Sequence, residues 1–282
     1  MKLIRFGEKG SEKPGVLLED GKRIDVTSIV ADFDYDFFKN DGLNKLAQAD
    51  LSQCPSVASD VRLGAPVKRP GKIICIGLNF KDHAEESNMA IPAEPVVFFK
   101  ATSSLVGPND DVIIPKDSEK TDWEVELAFV MGKDASYVSQ EEALDYLGGY
   151  VLHNDVSERA FQLEMGGQWV KGKSCDTFAP LGPYIATADE ISDVNNLKMW
   201  LTVNGETKQD GTTANLIFDI PYIISYLSRF MTLEAGDVIS TGTPAGVGFG
   251  FNPQQYLKDG DVVELGIEGL GSSKQTFRAY QA

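Results

Sequence analysis

Glu124 and Glu126 sit two residues apart in the run Asp122-Trp123-Glu124-Val125-Glu126-Leu127. Alternate side chains of a strand share one face, so the two carboxylates stand side by side. Like charges at that spacing repel unless a cation lies between them, and hard oxygen donors of this kind suit Mg²⁺, Mn²⁺ or Ca²⁺. A third carboxylate, Asp155, follows the apolar residues 149–152 in HNDVSERAFQ. Strand ends hold such groups rigidly beside an accessible loop. Three carboxylates can hold one divalent ion and leave positions open for water or substrate. The competing readings are structural: a charged pair on a solvated strand face, and Asp155 as the N-cap of the VSERAFQ segment.

His83, one of two histidines, lies in GLNFKDHAEES after the strand-like run KIICIG. Glu86 is three residues on, which puts it on the same face of a helix. A carboxylate that orients an imidazole and raises its basicity lets the pair take a proton from water, whereas a solvated histidine beside acidic neighbours does nothing of the kind. His153 is read as support or packing beside Asp155.

Gly167-Gln-Trp-Val-Lys-Gly172-Lys173-Ser174 matches the phosphate-loop pattern GxxxxGK[ST] and leaves a P-loop NTPase as a remote alternative. That chemistry needs a buried strand before the loop and a long helix after it. Here SERAFQLEMGG precedes it, and CDTFAPLGP follows with Pro180 and Pro183, which block a long helix. GVGFGF is not GxGxxG, and the serine elbow GxSxG is absent. A thiol dyad of Cys175 and His83 has no spacing to support it.

The elements that must position these groups are mostly strands. LIRF, GVLLE and RIDV open the chain, the last two flanking an Asp20-Gly21 hairpin turn, and residues 33–66 are mixed and loosely helical. LGAPVKRP, residues 63–70, has a linker's composition, so the sequence predicts a small N-terminal domain over 1–69 and a catalytic domain over 70–282. Beyond it recur KIICIG, PVVFFK, DVIIP, VELAFVM, GGYVLHND, KMWLTVNG, DVISTGT and DVVELGIEG. Helices are predicted for DHAEESN, SQEEALDYL and IPYIISYLSRF. The expected fold is mainly β with some α, in the α+β class.

Composition narrows the partners. Among 282 residues, 26 basic against 42 acidic side chains give a net charge of −16, which opposes binding to nucleic acid or to an anionic membrane. Cys54, Cys75 and Cys175 are odd in number and form no CxxC, which fits a reducing compartment. No signal-like opening and no apolar stretch of about 18 residues occurs, so the expectation is a cytoplasmic protein.

In their order, IGLNFKDHAEE, VVFFKATSSLVGP, DWEVELAFVMG, GYVLHNDVSERAFQ, WVKGKSCDTFAPLGP, VNGETKQDGTTANLIF and VISTGTPAGVG resemble the fumarylacetoacetate hydrolase family over most of residues 70–282. The resemblance implies a β-rich catalytic core behind a small N-terminal module, assembled as a homodimer or larger. It implies that Glu124, Glu126 and Asp155 ligate Mg²⁺ or Mn²⁺, that His83 and Glu86 activate water, and that Lys173 lies near metal and substrate. Arg159, Gln162 and Thr243 fall in site motifs, and Lys100 in a segment that borders the pocket. The implied substrate is a small anionic 2-oxo or 2,4-dioxo acid, cleaved between its carbonyls. GGQWVKGKSCDTFAPLGP and NPQQYLKDGD look most like the branch acting on 2,4-diketo-3-deoxy-fuconate or rhamnonate. Oxaloacetate decarboxylases and 2-hydroxyhepta-2,4-diene-1,7-dioate isomerases share the same grip on a 2-oxo acid and form the alternative.

Overall fold

The run VELAFVM forms the strand Val125–Met131, buried along its whole length. It reads as continuously apolar because both faces are covered. Leu127 and Phe129 enter one core cluster, while Ala128 and Val130 enter a second on the opposite face. The computed structural model describes residues 1–86 and 90–281.

Val125–Met131 pairs antiparallel with Leu147–Asn154 on one side and with Val238–Ser240 on the other. Val238–Ser240 runs parallel to Ile73–Gly77, whose far neighbour is the edge strand Val96–Lys100. In the other direction, Leu147–Asn154 meets Ile185–Ala186, and that strand pairs with Lys2–Phe6. Lys13–Leu17, Arg23–Asp25 and Ser56–Val57, with Leu63–Gly64 paired beside Lys2–Phe6, complete an 11-stranded mixed sheet. The N-terminal segment thus extends the sheet that carries Glu126. A second sheet orders Glu206–Thr212, Lys198–Val203, Val262–Ile267, Gly271–Ala279 and Val112–Ile114. Leu201, Leu265 and Phe277 from it pack with Leu127 and Phe129 in the larger cluster. The α+β class read from the sequence is the observed one.

Helices are few. Ile220–Leu227 starts where the Asp219 side chain accepts the Tyr222 N–H, with Pro221 in the first turn, and ends earlier than IPYIISYLSRF predicts. DHAEESN gives the helix Lys81–Glu86, and its Ser87 and Asn88 lie outside the described residues. SQEEALDYL is corrected: only a 3₁₀ turn forms, Ala143–Tyr146. Leu147 already belongs to the next strand, so too few residues remain for a helix to propagate. Among the described residues, no helix is long and apolar enough to cross a membrane.

Candidate active site

The strand register assembles the acidic cluster. Val125 pairs with Asn154, and the Asp155 N–H donates to the Glu124 carbonyl at 3.0 Å, so residues about thirty apart in sequence become neighbours. One carboxylate oxygen from each of Glu124, Glu126 and Asp155 lies within 4.8 Å of the others, and all three residues are buried. Asp155 does not cap a helix, because Ser157–Glu158 continues as a strand and the carboxylate is taken by lysines.

Three buried cations face this cluster. Lys173 Nζ lies 2.8 Å from both Glu124 Oε2 and Asp155 Oδ2. Lys100 bonds the other Asp155 oxygen and donates to the Val156 carbonyl at 3.0 Å. Arg159 Nη2 is 2.7 Å from Glu124 Oε1, while its Nε donates to Asp122 Oδ2 at 2.7 Å. Counting Asp122, four carboxylates meet three cations, a formal balance of 3 − 4 = −1.

The charge is unevenly held. Burial alone would raise the Asp155 carboxyl, but Lys100 and Lys173 outweigh it and hold it well below the usual range. Glu124 is likewise lowered, burial being overcome by Lys173 and Arg159. Glu126 has no cation of its own, and burial followed by the Asp155 and Glu124 charges pushes it well up. It is instead steadied by the Ser240 hydroxyl and by the Gly242 N–H at 3.1 Å. His153 bonds Ser240 Oγ through Nδ1 at 2.8 Å, and burial pushes its imidazole down to about 3, so it is neutral.

This donor set fits a hard divalent cation. Mg²⁺ takes oxygens at about 2.0–2.1 Å and Ca²⁺ at up to about 2.6 Å, so oxygens on opposite sides of an ion stand roughly 4–5 Å apart. The observed 4.8 Å limit falls within that span. The carboxylates of Glu124, Glu126 and Asp155 would hold the ion, with Lys173 beside it.

His83 lines the same cavity, about 50 Å³, together with Glu124, Glu126, Gln162, Lys173 and Thr243. Its Nδ1 is 3.6 Å from Glu86 Oε2, too long for a hydrogen bond, and is buried without a hydrogen-bond partner. The Glu86 carboxylate is fixed from behind by the Gly246 N–H, 3.1 Å from each oxygen. Gly246 has φ +99°, and a Cβ there would fall 2.0 Å from the Lys208 carbonyl oxygen, so only glycine can present that N–H.

The remaining residues singled out from the sequence divide. Gln162 is buried, accepts from Arg159 Nη1 at 3.1 Å and lines the cavity. Thr243 spends its hydroxyl on the Val125 carbonyl at 2.9 Å and accepts from Gln209 at 2.8 Å. Lys100 is fully buried against Asp155 and is not among the described residues lining the cavity. The phosphate-loop match forms a single helical turn, Val170–Lys173, preceded by a one-turn π-helix rather than a strand. Its lysine points at carboxylates, which would repel a phosphate.

Sequence reasoning missed Asp122, Ser240, Phe98 and Trp169. Asp122 accepts from Arg159 and from the Gly248 N–H at 2.7 Å, which fixes the guanidinium that reaches Glu124. Its only signal was its place at the head of DWEVEL.

The model of the C-terminal region of fumarylacetoacetate (FAA) hydrolase matches residues 72–278. The chain belongs to the fumarylacetoacetate hydrolase family. A Burkholderia multivorans protein, assigned only provisionally as a hydrolase, is 51% identical over 280 residues, covering 99% of each chain. The fumarylacetoacetate hydrolase of Exiguobacterium antarcticum is 40% identical with a TM-score of 0.89, covering 99% of this chain and 100% of that one. A maleylpyruvate hydrolase from Sphingobium sp. SYK-6, solved with manganese(II) and pyruvate, is 30% identical with a TM-score of 0.82 and full coverage of both chains (100% each). The 2-hydroxyhepta-2,4-diene-1,7-dioate isomerase of Mycobacterium marinum is 31% identical with a TM-score of 0.80, again covering 100% of each.

Proposed function

We propose that this family member is a divalent-metal-dependent hydrolase that cleaves a C–C bond in a small 2,4-dioxo acid and releases pyruvate or a related 2-oxo acid. The observation that carries the reading is the buried trio Glu124, Glu126 and Asp155, of which Glu124 and Glu126 line one cavity with His83 and Lys173. The manganese and pyruvate bound to the Sphingobium enzyme, which shares this fold, support it.

A Mg²⁺ or Mn²⁺ ion held by the three carboxylates supplies Lewis-acid polarisation of the 2-oxo acid. The chain's own groups do the rest. Lys173 and Arg159, both cationic, draw the anionic head into a cavity that is otherwise acidic, and Gln162 offers a hydrogen bond that fixes its rotation. His83 takes a proton from water, and the imidazolium that results is stabilised by turning its Nδ1 across the 3.6 Å gap to Glu86, which the Gly246 N–H holds in place. The hydroxide attacks the distal carbonyl, the C–C bond breaks with its electron pair passing to the enolate, whose oxygen is met by the Lys173 ammonium, and the proton held on His83 returns to the enolate carbon to give the 2-oxo acid. Lys100 keeps Asp155 ionised, and Thr243 shapes the wall.

A pyruvate-release screen over 2,4-dioxo acids tests this. Release that depends on added Mg²⁺ and stops with a chelator is expected, and no release from any acylpyruvate would sink the reading. The second reading is a lyase or isomerase on the same scaffold, favoured by the Mycobacterium marinum isomerase and by the open His83–Glu86 distance. It predicts double-bond migration or CO₂ from oxaloacetate without pyruvate release from acylpyruvates. The sugar-acid branch rests on GGQWVKGKSCDTFAPLGP and NPQQYLKDGD alone. The same reading includes residues 1–69 as a separate module, a homodimer or larger assembly, a cytoplasmic location, and neither nucleic acid nor membrane as partner.

A further inference from the structure

The catalytic cavity is lined both by charged side chains, Glu124, Glu126, Arg159 and Lys173, and by apolar ones, Ile76, Leu78, Phe98 and Trp169. The two kinds meet where the Lys173 ammonium lies 5.0 Å from the centre of the Phe98 ring. Phe98 and Trp169 also line a separate surface groove of about 510 Å³, with Val96, Val97, Phe99 and Val170. The two hollows therefore share a wall, an edge-to-face aromatic pair with ring centroids 5.3 Å apart and planes at 62°. On the inner side of that wall the space is about 50 Å³, room for little more than the head of a 2-oxo acid. On the outer side Phe99 and Val170 remain 38% and 46% exposed.

The wall is seated on glycine and hinged on glycine. The Trp169 indole packs directly on Gly77, where a Cβ would come within 2.6 Å of the ring. Gly166 and Gly167, just ahead of Trp169, have φ +81° and +66°, and a Cβ at either would meet nothing within 4 Å. The Trp169 carbonyl meanwhile accepts the Lys173 N–H at 3.0 Å, so the indole can swing while the turn that presents Lys173 stays in register.

We propose that this groove is the subsite for an apolar substrate tail: the 2-oxo acid head lies at the carboxylates, and an unbranched alkyl or aryl acyl chain passes Trp169 and lies along Val96–Lys100. The proposal rests on the 2,4-dioxo acid reading and names the class of tail. Continuity fixes the occupant, because the two rings that close the cavity are the two that open the groove. A polyhydroxylated tail would set most of its hydroxyls against Val97, Phe99 and Val170, with Gln168 as the polar side chain that lines the groove, so the geometry favours an acyl over a sugar-derived chain.

The test uses the full chain with Mg²⁺ and non-cleavable 2-oxo acids of growing length: pyruvate, 2-oxobutanoate, 2-oxohexanoate and 2-oxooctanoate. Binding is read by calorimetry and by Trp169 fluorescence, identified through its loss in Trp169→Phe. Affinity should rise about fourfold for each methylene buried beyond the wall, and Phe99→Glu should flatten the series. Pyruvate binding with no gain from longer tails overturns the tail subsite and leaves the head reading intact. Failure of every acid, pyruvate included, overturns both. A flat wild-type series, with Phe99→Glu converting an oligomer to monomers in sedimentation, assigns the groove to a second copy of the chain instead.

Discussion

Lys173 and Asp155 meet at 2.8 Å although 18 residues separate them, and the same ammonium reaches Glu124 at 2.8 Å. One lysine thus holds two of the three carboxylates that would ligate a metal. Burial lowers its tendency to stay charged, but Asp155 and Glu124 outweigh burial and keep it protonated far above neutrality. Lys173→Met leaves both carboxylates buried without that partner, and breaking a buried pair costs about 3–5 kcal/mol. The expected result is a melting temperature lower by roughly 10 °C and a loss of pyruvate release of at least about a hundredfold. Millimolar Mg²⁺ should restore much of the melting temperature, since a divalent ion can replace the lost charge, and little of the rate. Equal melting curves for the variant and the parent would refute the electrostatic account.

His83 bears on the rate and not on the metal. Its ring shares the cavity with Glu124 and Glu126, but no ligand atom of the cluster belongs to it. His83→Ala is expected to lower pyruvate release by about 10²–10⁴-fold, the range for a lost general base, while Mn²⁺ affinity measured by calorimetry stays nearly intact. An unchanged rate would favour the isomerase or decarboxylase reading, in which no water needs activation.

Ser240 is placed to matter for the metal and not for the base. Its hydroxyl donates to Glu126, the one carboxylate without a cation, and His153 holds that hydroxyl from behind. Groups that orient a ligand in this way are typically worth 10–100-fold in metal affinity. Ser240→Ala should weaken Mn²⁺ binding within that range, read by electron paramagnetic resonance of free Mn²⁺. His153→Phe should do the same through the serine, and Ser240→Thr should restore it. Identical affinity in all three proteins would show that the chain from His153 to Glu126 has no hold on the ion.

What the sequence made legible follows from the range of the forces involved. VELAFVM and KIICIG are read as strands because burial on both faces leaves an uninterrupted apolar run. His83 and Glu86 are legible as a pair because a helix brings residues three apart together. Asp122 with Arg159 and Ser240 with Glu126 are 37 and 114 residues apart, and only strand pairing across the sheet unites them. SQEEALDYL fails for a related reason: its helical pattern is real, but the strand Leu147–Asn154 claims its last residue, and tertiary pairing overrides local preference. Lys100 shares its strand face with Phe98, which lines the cavity, yet its ammonium is taken up by Asp155 and the Val156 carbonyl, partners distant in sequence.

Arg62 ties the N-terminal segment to the body of the protein, and that link sets an acid limit. Its guanidinium takes Asp110 at 2.6 Å and Glu12 at 2.9 Å. Burial by itself would raise the Asp110 carboxyl, but the Arg62 hydrogen bond and the Gly107 N–H outweigh it and hold it below the usual value. A carboxyl depressed in the folded state stabilises fully above its unfolded pKa, about 3.9, and loses that contribution as the pH falls through the folded value. Urea unfolding between about pH 6 and pH 2 should therefore show stability falling on the acid side. In Asp110→Asn that part of the slope should vanish, and the variant should start lower at neutral pH because Arg62 has lost its bidentate partner. If the two pH profiles run parallel, Asp110 is not the group that couples Arg62 to acid stability.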